Sequence, residues 1–185
     1  LDVSGHGLGA ALPSVSVQQV IRSQSLPNTN FYDPVSVMTG INQIFQMGIQ
    51  NPRFLTLWYG VYCQSEQTLT YASAGHPPAI LVTPDGEIQH VGQSGQVPIG
   101  MFTSSIYQSH QCAVPPGSVL YSFSDGLYEI EEADGNLWTH TGFSDMLGRL
   151  HQAGPVDLPD VLKTIYQLKG IESFEDDCSI VQAQF

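Results

Sequence analysis

Three short acidic segments, far apart in the chain, carry residue types suited to holding a cation: Asp2-Val3-Ser4-Gly5-His6-Gly7, Ser124-Asp125-Gly126 and Glu175-Asp176-Asp177-Cys178-Ser179. Each sets an aspartate at the edge of an apolar, strand-like run, where a loop begins. Carboxylate oxygens gathered from strand ends suit a hard divalent cation such as Mg2+ or Mn2+. The glycines at positions 5 and 7 let the backbone come close to such a cation. Each segment also has a plainer reading. Asp2 can be a helix N-cap before a flexible turn, Asp125-Gly126 a tight turn, and Glu175 to Asp177 a solvated acidic loop. Short motifs match by chance often, so their order and setting carry the weight.

The spacing of apolar residues shows which elements would position these segments. Gly9 to Gln24 has small and apolar residues at helical spacing, with Leu12, Val15, Val20 and Ile21 near one side. Pro13 suits the first turn of such a helix better than its interior. Asp33-Pro34 opens a second helix, with the aspartate as cap and the proline at the first helical position. Val35, Met38, Ile41, Phe45 and Ile49 mark its core face, as far as about Gln50. From Arg53 the pattern turns to strands. Phe54 to Cys63 and Leu69 to Ala74, around the polar turn Gln64 to Gln67, read as a hairpin. Ala79 to Thr83 and Glu87 to Val91 flank Pro84-Asp85-Gly86 as a second. Ser105 to Val114 and Val119 to Phe123, separated by Pro115-Pro116-Gly117-Ser118, read as a third. Helices return at about Thr141 to Gln152 and at Leu158 to Lys169, the latter with Leu158, Val161, Leu162, Ile165 and Leu168 on one face. Cys178 to Phe185 closes as a strand. The layout is α+β, and two sheets packed face to face with helices outside would bury both sides of such strands.

At 185 residues, 42% hydrophobic and 10% aromatic, the chain can bury one sizeable core, so a single domain over residues 1–185 is expected. Asp and Glu number 17 against 5 Lys and Arg, for a formal charge of -12. So acidic a chain repels DNA, RNA and anionic membranes, which are held by Lys and Arg. Arg22 and Arg53 are the only arginines before residue 149, so an arginine clamp for an anionic group is poorly supplied. No stretch approaches the roughly 20 apolar residues of a membrane span, and no secretory leader is visible. Cys63, Cys112 and Cys178 are odd in number and lack metal-ligand spacing. They read as small buried side chains in a reducing compartment, which places the chain in the cytosol. There is no initiator Met, and only Leu1 precedes Asp2, so an N-terminally truncated domain is expected.

The order and wording of the three acidic segments resemble the metal-dependent protein serine/threonine phosphatases of the protein phosphatase 2C-like superfamily. The likeness is greatest to the bacterial branch that includes stage II sporulation protein E and the sigma-factor-regulating phosphatases. Phe54-Leu55-Thr56-Leu57-Trp58-Tyr59-Gly60-Val61 and Tyr71-Ala72-Ser73-Ala74-Gly75-His76-Pro77-Pro78 look like that family's central hairpin, and Gly95-Gln96-Val97-Pro98-Ile99-Gly100 like its following turn. The likeness spans essentially the whole chain. It implies a four-layer α-β-β-α sandwich of two antiparallel sheets flanked by helices. It also implies Asp2 as a ligand bridging two metals, the Val3 main-chain carbonyl as a second contact, and Asp125 and Asp176 as further ligands. Asp177 is the less suited neighbour. At the middle segment the family has an aspartate, a glycine and an acid three residues on; Asp125, Gly126 and Glu129 supply all three.

The activity implied is hydrolysis of a protein phosphoserine or phosphothreonine by water activated between two Mn2+ or Mg2+ ions. Substrates in the branch resembled are often small anti-anti-sigma-type proteins, and an upstream sensor or receiver domain is expected. The superfamily's proposed general acid is a histidine two residues after the first aspartate. Here it stands four after, at His6, which can protonate the departing serine oxygen or be a simple loop residue. His76 stands where relatives in the wider superfamily place an acid near the metals, and reads as structural. The family's earlier aspartate ligand, on a strand before the first segment, has no counterpart in this chain. A reading from another class is a non-catalytic phosphatase-fold module that binds a signalling partner without metal. A phosphatase of small phosphate esters is a third.

Overall fold

A computed structural model describes residues 1–4, 8–48, 54–93, 95–130, 138–170, 174 and 178–185, the side chains of residues 8–11, 46–48 and 169 excepted. The chain runs β1 (Asp2–Val3), α1 (Leu8–Arg22), α2 (Pro34–Gly48), β2 (Leu55–Cys63), β3 (Thr68–Ala74), β4 (Ala79–Val82), β5 (Ile88–Val91), β6 (His110–Ala113) and β7 (Val119–Phe123). A 3-10 turn (Asp125–Leu127), α3 (His140–Ala153), α4 (Leu158–Lys169) and β8 (Ile180–Gln184) follow. The elements fall into two compact units, Leu1–Pro78 with Gly92–Ala113, and Ala79–Val91 with Val114–Phe185.

The first unit is an antiparallel sheet in the order β1-β2-β3-β6, with α1 and α2 on one face. Alternation along the strands sends Leu55 and Leu57 of β2 and Ala72 and Ala74 of β3 into that core. Val37, Met38, Ile41 and Phe45 of α2 meet them at helical spacing. The start of α2 follows the cap read from the sequence: Asp33 Oδ1 accepts from Val35 N at 3.0 Å, and Pro34 is the first helical residue.

The second unit is an antiparallel sheet in the order β5-β4-β7-β8, covered by α3 and α4. Ile80, Val82, Tyr121 and Phe123 point into a core with Phe143, Met146, Leu147, Val161 and Ile165. Phe143 meets Phe123 edge-on at 4.7 Å between ring centroids. Asp157 caps α4 by accepting from Asp160 N at 2.9 Å.

Four expectations change. β6 and β7 are not a hairpin: β6 pairs with β3 in the first sheet, and β7 with β4 and β8 in the second. The turn between them is real, with Ser118 N donating to Pro115 O at 3.0 Å and Gly117 at φ +87°. Pro at its second position and a positive-φ glycine at its third make it a type II turn, which splays flanking strands instead of matching their twist. α1 includes Pro13 in its interior. The proline removes one helical hydrogen bond, yet Val17, buried beyond it, with Val20 and Ile21 packed on the core, holds the helix in place. The core face of α1 is therefore not the expected one, since Leu12 is 67% exposed and Val15 is also turned outward. On α4, Leu168 is exposed while Val161 and Ile165 are buried.

Candidate metal centre

Asp2 and Val3 form all of β1. Asp2 is exposed and Val3 buried, as alternation across a strand requires. Leu55, opposite Val3, exchanges both its backbone hydrogen bonds with Ile99 on its other side, each 2.9 Å. Val3 therefore occupies a non-hydrogen-bonded position, and its carbonyl is directed away from β2 to the outer edge of the sheet. At Ser4 the strand ends in a distinctive way. Ser4 N donates to Phe54 O at 2.9 Å, but Phe54 N donates to Ser4 Oγ at 3.1 Å. The hydroxyl takes the ladder bond that a main-chain carbonyl would accept.

The same device stands beside Asp125. Beyond the last pair of the β7–β8 ladder, Phe123 with Ile180, Ser124 N donates to Ser179 O at 3.0 Å and Ser179 N donates to Ser124 Oγ at 2.9 Å. Asp125 follows at once, half-buried, at the head of the 3-10 turn. Its Oδ1 accepts from Gly126 N at 3.0 Å, and its carbonyl accepts from Tyr128 N and Glu129 N, each at 2.9 Å. Buried Leu127 pins the turn to the core below. Burial first, and then the carboxylates of Glu129 and Asp125, push the Tyr128 phenol up to about 12. Each of the two acids at this strand end contributes less to that shift than burial does.

Asp2 lies in the first unit and Asp125 in the second. Asp176 and His6 lie outside the described residues. Asp176 is three residues from Ser179 in sequence, the residue bonded to Ser124. Among the described residues, no three His, Cys, Asp or Glu side chains gather into one metal-holding group. The donors that can be weighed, an exposed carboxylate at Asp2, an outward carbonyl at Val3 and a carboxylate at Asp125, are all hard oxygens. That donor chemistry fits Mg2+ or Mn2+.

His76 is 4% exposed, with Nδ1 3.0 Å from Pro77 O, while its own carbonyl accepts from Ser73 Oγ at 2.9 Å. Both of these contacts lie within its own turn. Cys63, Cys112 and Cys178 are half-buried free thiols. Burial pushes those of Cys112 and Cys178 up, which keeps them protonated and unsuited to attack phosphorus. The residues that sequence reasoning missed are the serines at 4, 124 and 179, whose only signal is a small hydroxyl at each strand end.

Two antiparallel sheets, each with a helix pair, and carboxylates set where strands give way to glycine-containing loops define the α+β fold of the protein phosphatase 2C class. The sequence matches the stage II sporulation protein E (SpoIIE) family over residues 1–185, and the chain belongs to that family. Among curated relatives, it is 26% identical over 136 residues to the phosphoserine phosphatase RsbU of Bacillus subtilis, covering 74% of this chain and 40% of that protein. To the phosphoserine phosphatase RsbP of the same organism it is 31% identical over 133 residues, covering 70% of this chain and 32% of that protein. The chain thus spans well under half the length of either. Among solved structures, it is similar in fold to the RsbU and RsbW domains of a Mycobacterium tuberculosis protein. The TM-score is 0.76 at 24% identity, over 98% of this chain and 49% of that one.

Proposed function

We propose that this chain is the catalytic domain of a protein phosphoserine/phosphothreonine phosphatase acting in bacterial signalling, in partner switching that regulates a sigma factor. The observation that carries the reading is the pair of matching strand ends. At Ser4 and at Ser124 a serine hydroxyl ends the ladder, with an acid of the expected ligand set one or two residues away. Named phosphoserine phosphatases among its relatives support the reaction class.

In this account Asp2, the Val3 carbonyl, Asp125 and Asp176 hold two Mn2+ or Mg2+ ions. Bound there, such ions would lower the pKa of a water and offset charge on the phosphoryl oxygens. The residues of the chain do the positioning. The Ser124–Ser179 bonds fix where Asp125 stands relative to the end of β8, and the edge position of Val3 presents its carbonyl. The glycines of the first segment admit the phosphate, and His6 is placed in sequence to give a proton to the departing serine or threonine oxygen. The substrate is a phosphorylated protein, of the small anti-anti-sigma type, in the cytoplasm, and an upstream sensor or receiver domain supplies the input. Residues 1–185 work as one phosphatase domain.

The test is Mn2+-dependent release of phosphate from a phosphoserine protein by the full-length protein. Asp125→Asn and Asp176→Asn are each expected to abolish release. Undiminished turnover in excess chelator, or with both substitutions present, refutes the mechanism.

A further inference from the structure

The second unit holds a cavity of about 660 Å3, a size common among small-molecule sites. Its walls are residues 82–86 of the β4–β5 hairpin, Gly117 and Val119, the last turn of α3 with residues 154–156, and the end of β8. Val119 begins β7 and Asp125 follows the other end of that strand, so roughly 13 Å of strand separates the cavity from the acidic turn. Phosphate release makes no use of it.

The charge of its walls has one sign. Among the described residues that line it, Asp85 has the only charged side chain. The Thr83 hydroxyl donates to this carboxylate, and that bond is the main reason its pKa lies below the usual carboxylate range. The end of α3 adds to it: His151 and Gln152 stand in the last turn and Gly154 is the C-cap. The final carbonyls of a helix carry partial negative charge. His151 brings no opposing charge. Gln182 Nε2 donates to Val156 O at 2.7 Å and to the buried Tyr121 hydroxyl at 3.0 Å, so the hydroxyl proton goes to His151 Nε2, 2.9 Å away. The ring is then neutral, with its proton on Nδ1, and burial holds its pKa below the ordinary 6.5.

Beside the acid, Val82, Val119, Pro155 and Val156 make an apolar stretch of wall. We propose that this cavity binds a small aliphatic amine, with its ammonium on the Asp85 carboxylate and the carbonyl end of α3, and its methylenes along the three valines. Complementary charge selects the occupant. An anion would meet a carboxylate and the negative end of a helix, inside a chain of net charge -12. A long cationic side chain divides its contacts in the same way, with an apolar stem on apolar surface and the charge at its tip. The inference stands apart from the phosphatase reading and does not need it.

The experiment is calorimetric titration of the full-length protein at physiological salt with hexylamine, hexanol and hexanoate. Hexylamine should bind at one site per chain, at least about tenfold tighter than hexanol, because only it can form the charge-assisted contact. Hexanoate should not bind. Asp85→Asn keeps an oxygen for the Thr83 hydroxyl and removes the charge, so it should bring hexylamine down to the affinity of hexanol. Asp145→Asn, which removes an exposed acid elsewhere on α3, should leave the affinity unchanged. No saturable binding of hexylamine overturns the proposal, as does equal binding of amine and alcohol. Equal losses in the two variants mean diffuse attraction to an acidic surface, and also overturn it. A glycine-flanked lysine peptide that binds tighter than hexylamine assigns the cavity to a protein side chain and overturns the small-molecule reading.

Discussion

Ser124 and Ser179 bind each other twice, from Ser124 N to Ser179 O at 3.0 Å and from Ser179 N to Ser124 Oγ at 2.9 Å. The pair ties the residue before Asp125 to the start of β8, the strand that follows the third acidic segment. Ser124→Ala removes the side-chain bond and leaves Ser179 N to water. The variant should lose about 1 kcal/mol of stability, while the Mn2+ needed for half-maximal phosphate release rises several-fold. Thermal melts and a metal titration check the two effects separately.

Asn42 makes a prediction of the opposite kind, large in stability and small in metal dependence. It is 3% exposed and satisfies both Gly100 N and Phe102 O. Asn42→Ala removes the bonds to Gly100 N and Phe102 O near the core, at a cost of about 1–3 kcal/mol, which urea unfolding would read. The Mn2+ titration of phosphate release should hardly move.

Phe143 tests the core of the second unit. It is fully buried and packs edge-on against Phe123 at 4.7 Å. Phe143→Ala should cost about 3–5 kcal/mol in denaturant unfolding, and Phe143→Leu clearly less, because the leucine refills most of the cavity.

His151 carries a pH dependence. Burial holds its pKa below the ordinary 6.5, and Nε2 lies 2.9 Å from the Tyr121 hydroxyl. A depressed folded-state pKa favours the neutral ring in the folded chain. Its contribution is therefore complete above the unfolded value and is lost as pH falls through the folded one. Stability should decline as pH drops below about 6.5, and His151→Gln should flatten that part of the curve. Unfolding free energies measured across this range decide the matter.

Much of the architecture was legible because its signals are local. Asp33-Pro34 announced α2, and the β2–β3 and β4–β5 hairpins followed from branched and aromatic runs around polar turns. The β6–β7 pairing failed because a turn signal says that the chain reverses, and not which sheet each arm joins. Leu12 and Val15 were misplaced on α1 for a related reason: several apolar faces coexist along that helix, and the core cluster that decides between them draws on elements remote in sequence. Beside the acidic segments, the strand edges expected at Asp2 and Asp125 are present. The serine bonds beside them were not legible, since an end-of-strand hydroxyl has no sequence signature apart from its partner's position.

The most direct test of the central claim is calorimetric titration of Mn2+ into the full-length protein and its Asp125→Asn and Asp176→Asn variants. Wild type should bind the ion, and each substitution should weaken binding by at least about tenfold, since each removes a hard-oxygen ligand. Equal affinity in wild type and both variants would contradict the account, because the cations would then be held elsewhere or not at all.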